Sequence, residues 1–118
     1  MQRSTLPKTE RVSGKTAVAR LFGHGKGGVS GCIRYRYVPS EEADAPSRIL
    51  VSVPKRLFKR AVKRNLLKRR IRESYRRQKG LLGPGKDLLL QYNSPELLPF
   101  DVIYADITGL LTAISEGR

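Results

Sequence analysis

Apolar residues recur with two periods along this chain, and each period marks a kind of element. Between residues 31 and 38, Ile33, Tyr35 and Tyr37 alternate with Cys32, Arg34 and Arg36, which predicts a strand with two chemically different faces. Ile49-Leu50-Val51-Ser52-Val53, ended by Pro54, predicts a second strand, and Asp87-Leu88-Leu89-Leu90-Gln91-Tyr92 a further one. The polar stretch 39–47, with two prolines, reads as a loop joining paired strands. Helical spacing shows in three places. Val12, Val18, Leu21 and Phe22 predict a short helix from Glu10 to Phe22, stopped by Gly23-His24-Gly25-Lys26-Gly27-Gly28. A long helix is predicted from about Lys59 to Lys79, broken by the glycines and proline of residues 80–85. Ile103, Ile107, Leu110, Leu111 and Ile114 predict a last helix that Asp101 would cap. Residues 1–9 read as a loose N-terminal arm, and residues 1–118 as a single-domain α+β sandwich.

The long helix has two faces. Leu67, Ile71, Ser74 and Tyr75 form one stripe at helical spacing, suited to a core. Asn65, Arg69, Arg72 and Arg76 run along the opposite side, with Arg64 and Lys68 beside them. Charge sharpens this picture. The chain carries 24 Lys and Arg against 10 Asp and Glu, a net charge of +14. Thirteen of the basic residues lie between Lys55 and Lys79, where Glu73 is the sole acid. Regularly spaced apolar residues interrupt this block, so a disordered basic tail explains it poorly.

Like charges four apart on a helix cost a few tenths of a kcal/mol per pair. Glu73, four residues from both Arg69 and Arg77, offsets part of that. An unmixed row is better explained by a polyanionic partner, and the planar fork of arginine suits phosphate oxygens. Asn65 is the odd member of the row. Its amide can donate and accept at once, so it would suit a base edge, a 2′-hydroxyl or a metal-bound water; otherwise it is a solvated helix residue.

Several classes are excluded. No apolar run approaches the ~18–20 residues of a membrane span. MQRSTLPKTER has no apolar core of a signal peptide, so a cytoplasmic location is expected. One cysteine, Cys32, cannot close an internal disulfide, and one cysteine with one histidine cannot build a zinc finger. Cys32 reads as a small packed residue and His24 as a loop residue. Asp44, Asp87, Asp101 and Asp106 share no motif. The sequence therefore offers no catalytic set and no metal ligands of its own.

The stretch Ala61-Val62-Lys63-Arg64-Asn65-Leu66-Leu67-Lys68-Arg69-Arg70-Ile71-Arg72-Glu73 resembles the signature of the protein subunit of bacterial ribonuclease P. Ala61, Val62, Arg64, Asn65, Lys68, Arg69, Arg72 and Glu73 all match that signature. Val51-Ser52-Val53-Pro54-Lys55-Arg56 resembles the family's strand leading into a basic turn, although the family often has serine where Pro54 stands. Leu21-Phe22 before His24-Gly25 also resembles the family, whose first helix commonly has an aromatic at the place of Val18.

The resemblance implies the order α-β-β-β-α-β-α, with a left-handed crossover through the basic helix, against the usual right-handed rule. It implies that the catalyst is an RNA whose Mg²⁺ ions cut precursor tRNA on the 5′ side of the mature end, with no metal assigned to the protein. The partners would be that RNA and precursor tRNA, with no membrane and no small-molecule substrate. Arg60, Arg64, Asn65, Lys68, Arg69, Arg72 and Arg76 would bind the RNA subunit and lower the Mg²⁺ requirement. A cleft would take the 5′ leader, with Phe22, Tyr35 and Tyr37 as stacking candidates, or Arg34 and Arg36 if their face of the strand is the open one.

Three other readings compete. A structural or ribosomal RNA-binding protein shares the composition but not the Arg-Asn, Lys-Arg, Arg-Glu spacing. A DNA-reading helix would usually sit in a helical domain or a dimer. A protein-only nuclease would need grouped metal ligands.

Overall fold

The computed structural model describes residues 15–40 and 42–117. Helix α1 (Lys15–His24) is followed by strands β1 (Lys26–Ser30), β2 (Ile33–Pro39) and β3 (Arg48–Ser52). Then come α2 (Ala61–Gln78), a 3-10 turn at Lys79–Leu81, β4 (Lys86–Tyr92) and α3 (Phe100–Ser115). The order is the α-β-β-β-α-β-α that the resemblance implies. The expected N-terminal arm, and Val12 with the start of the first helix, lie outside the described residues.

β1 falls where the pattern predicts only a helix stop. Its sequence, Lys-Gly-Gly-Val-Ser, is a poor strand former. Pairing rescues it. Gly28 stands opposite Tyr35 in the antiparallel β1–β2 register, and the Tyr35 ring lies over the bare glycine. Gly31, at φ 56°, opens the two-residue turn into β2. That turn docks on α3: Asp106 accepts a hydrogen bond from the Cys32 backbone N–H at 2.9 Å, and Ser30 Oγ donates to the Asp106 carbonyl at 2.7 Å.

The sheet order is β1-β2-β4-β3. The loop over 39–47 therefore does not join paired strands, as its sequence suggests. β4 lies between β2 and β3, antiparallel to the first and parallel to the second. The reason is apolar content. Leu88, Leu89 and Leu90 are consecutive and all buried, and only a central strand covered on both faces can bury such a run. The parallel β3–β4 pair needs a long crossover, which α2 supplies.

Both faces of the sheet are used unequally. Ile33, Ile49, Leu88, Leu90 and Tyr92 pack beneath α2 and α3, against Leu67, Ile71, Tyr75, Ile107 and Leu111 among others. On the other face a smaller cluster of Leu21, Val38 and Leu89, joined by Val18 and Leu50, seats α1. Beside this cluster, the fully buried Asp87 accepts two hydrogen bonds from Arg48, at 2.9 and 2.7 Å. Arg20 of α1 lies 3.8 Å from the same carboxylate and donates to the Pro39 carbonyl at 2.6 Å.

Asp101 does not cap α3. Pro99 holds that position without a side-chain cap, and Asp101 lies in the first turn, where its charge complements the helix dipole. The segment before α3 is fixed by Tyr92, whose hydroxyl donates to the Glu96 carbonyl and accepts from the Leu98 N–H.

Candidate nucleic-acid interface

The predicted core stripe of α2 is buried: Leu67, Ile71, Ser74 and Tyr75, continued by Gln78. Gln78 locks α2 to α3 by donating to the Tyr104 carbonyl and accepting from Thr108 Oγ1. On the outward side Arg60, Asn65 and Arg69 are exposed, while Arg64, Lys68, Arg72 and Arg76 are half-buried. Lys55, Arg56 and Lys59 extend the exposed cations along the turn that leads into the helix.

The cations of α2 are not equivalent. Arg64 Nη1 donates to the carbonyls of Phe58 and Lys59, at 2.8 and 2.7 Å, and so closes the entry turn. Arg76 Nε donates to Glu73 at 2.6 Å, and Arg77 lies 3.6 Å from the same carboxylate. Glu73 thus leans toward the C-terminal arginines. Arg77 also lies over the Phe100 ring, 5.1 Å from its centre. Arg70 turns away from the row and donates to the Leu98 carbonyl at 2.6 Å.

A second feature lies on the α1 face of the sheet. α1 covers only part of that face, and the remainder forms a groove of about 430 Å³ bordered by Phe22, Val29, Arg34, Arg36, Leu89 and Gln91. Register explains its lining. Arg34 pairs with Gln91, and Gln91 with Ser52, so one polar row crosses three strands. Ser52 is followed within a few residues by the exposed Lys55 and Arg56 of the basic turn.

Of the three stacking candidates, Phe22 borders the groove and is 53% exposed. Tyr35 also lines the groove, and Tyr37 does not. Both tyrosines pack against the core beneath α2 and α3, because β2 puts Ile33, Tyr35 and Tyr37 on that side. The arginine face of β2 is the open one. Gln91 has no counterpart in the sequence reading, although alternation along β4 puts it on the side away from Leu88, Leu90 and Tyr92.

Two buried groups away from this groove are shifted by their surroundings. Burial, reinforced by the hydrogen bond and charge of Asp106, pushes the Cys32 thiol up to about 12. Burial also raises the Tyr92 phenol. Among the described residues no group of three His, Cys, Asp or Glu is placed to hold a metal ion. Asp87, Asp106 and Glu73 are each engaged by the protein's own donors. These three carboxylates therefore do not suit a Mg²⁺ site, which wants several oxygens free to converge. Among the described residues no helix is long and apolar enough to cross a membrane.

The family model for Ribonuclease P matches residues 6–115. The chain belongs to the ribonuclease P protein family. The Ribonuclease P protein component of Porphyromonas gingivalis is 46% identical over 108 residues, 91% of this chain and 77% of that protein. That of Chlorobaculum tepidum is 45% identical over 83 residues, 67% of this chain and 54% of that protein. The chain thus spans about half the length of the Chlorobaculum relative. Among solved structures, the RNase P protein of Thermotoga maritima superposes with a TM-score of 0.76 at 23% identity, over 87% of this chain and 96% of that one. The Staphylococcus aureus RNase P protein gives 0.78 at 24%, over 91% and 96%. At these identities the likeness is one of fold. The Arg64-Asn65 and Lys68-Arg69 pairs on which the resemblance rests lie on α2.

Proposed function

We propose that this chain is the RNA-binding protein component of a ribonuclease P and assists a catalytic RNA in removing the 5′ leader from precursor tRNA. The observation that carries this reading is the outward row of α2: a family signature helix whose buried stripe faces α3 and the sheet while Arg60, Asn65, Arg69 and their neighbours point away. Arg60, Lys68, Arg69, Arg72 and Arg76 meet phosphates of the RNA subunit, Asn65 meets a sugar or base edge, and Arg64 holds the entry turn while touching RNA at its margin. Each phosphate neutralised releases counterions. The groove takes the leader, with Phe22 as its stacking ring and Arg34 as its cation, in place of Tyr35 and Tyr37. The chemistry belongs to the RNA and its Mg²⁺, and the protein lowers the Mg²⁺ needed by screening the RNA's charge.

The test is cleavage of precursor tRNA at low Mg²⁺ by the RNA alone, with the protein, and with an Arg60→Ala/Arg69→Ala/Arg72→Ala variant. Rapid cleavage only with the unmodified protein, and none by the protein alone, supports the reading. An unchanged Mg²⁺ optimum with and without protein overturns it.

A further inference from the structure

Arg36 reaches across the groove rather than into it. From β2, its Nη1 donates to the carbonyl of Phe22 at 2.6 Å. That carbonyl belongs to the last turn of α1, where carbonyls lack helical partners and the dipole is negative. A guanidinium satisfies both needs at once. The arginine stem passes close to Gly25. A Cβ at Gly25 would overlap Arg36 Cγ and would sit 2.7 Å from Cδ and 2.6 Å from the Leu21 carbonyl oxygen. Only glycine leaves that passage open. Phe22 itself is mostly exposed, whereas its neighbour Leu21 is fully buried. Packing therefore anchors Leu21, and the bond from Arg36 anchors the backbone of Phe22.

We propose that Arg36 is a positioning residue: it clamps the C-terminal turn of α1 so that the Phe22 ring is held over the groove, with Gly25 as the gap that admits it. This rests on the reading of the groove as the leader site. A helix end already in place beneath the ring spares the ordering of that backbone on binding, worth about 2- to 10-fold in affinity. Arg36 acts through Phe22 and not on leader phosphates, which fall to the exposed Arg34.

The test uses the assembled protein–RNA holoenzyme and compares its affinity for a precursor with a multi-nucleotide leader against mature tRNA. Phe22→Ala, Arg36→Met and Gly25→Ala are each expected to reduce this leader-dependent affinity. Arg36→Met added to Phe22→Ala, or to Gly25→Ala, should cost nothing further, and the salt dependence of Arg36→Met should match the unmodified protein. Additive losses with a shallower salt dependence would show a phosphate contact and overturn the clamp. So would a loss with Phe22→Ala but none with Arg36→Met. If Phe22→Ala leaves leader-dependent affinity unchanged, the groove reading fails and the clamp with it. In the free protein, amide exchange at residues 22–25 should quicken in Arg36→Met and Gly25→Ala while α2 and β4 stay protected; unchanged exchange there also overturns the proposal.

Discussion

Arg48 and Asp87 stand opposite one another in the parallel β3–β4 register and share two hydrogen bonds, through a carboxylate with no exposed surface. The pair ties together the two strands that the crossover through α2 connects, and Arg20 extends it to α1. Removing the buried carboxylate leaves two half-buried arginines without this counter-charge and loses two charge-assisted hydrogen bonds, at about 1–3 kcal/mol. Asp87→Ala is therefore expected to lose that much stability in urea unfolding.

Arg69 and Arg70 are adjacent in sequence and separate in role. Arg69 is exposed on the outward row, while Arg70 donates to the Leu98 carbonyl. Arg69→Ala should weaken binding to the RNA subunit and lower the slope of log affinity against log salt by about 0.7–0.9, the share of one phosphate. Its thermal stability should not change. Arg70→Ala should do the reverse, costing about 1–3 kcal/mol of stability with the salt slope intact. Paired salt titrations and melts read both.

Phe22 and Tyr37 offer a similar contrast. Phe22→Ala should weaken binding of leader-bearing precursor by about 1–3 kcal/mol, the worth of one stacked base, with mature tRNA unaffected. Tyr37→Ala removes a ring packed under the helices. It should lower the unfolding midpoint and leave discrimination between precursor and mature tRNA as it is.

Cys32 should make the fold sensitive to alkali. Its thiol ionises near pH 9 when unfolded and is pushed to about 12 in the folded chain. Below pH 9 both states keep the proton, so the stabilising difference is whole. Between about 9 and 12 only the unfolded state gives the proton up, and stability falls as pH rises. Denaturant unfolding from pH 8 to 11 should show a steeper decline for the unmodified chain than for Cys32→Ala. Alkylation of the native thiol at pH 8 should be slow and should accelerate on unfolding.

Much of this was legible in the sequence. The α2 stripe and row follow from a strong period of 3.6 and from unbalanced charge, both local signals. β1 was not legible, because Gly27 and Gly28 give it no strand propensity and its stability comes from Tyr35 across the register. The position of β4 between β2 and β3 was hidden for a related reason: pairing between distant segments leaves no local mark. Only the run Leu88-Leu89-Leu90 hints at a strand covered on both sides. The open face of β2 was equally hidden. Tyrosine and arginine both tolerate half-burial, so alternation alone could not say that Arg34 and Arg36, and not Tyr35 and Tyr37, face the groove.

The central place of β4 sets an order of events during synthesis. β2 and β3 leave the ribosome well before β4, and neither has its main partner until residues 86–92 emerge. Until then β2 pairs on one side only, through the glycine-rich β1, and β3 has no neighbour at all. The nascent chain carries bare strand edges and a folded-in-waiting basic helix past the halfway point of its length. Insertion of one apolar strand then completes sheet, crossover and groove together, and the interval before that insertion leaves strand edges open to aggregation.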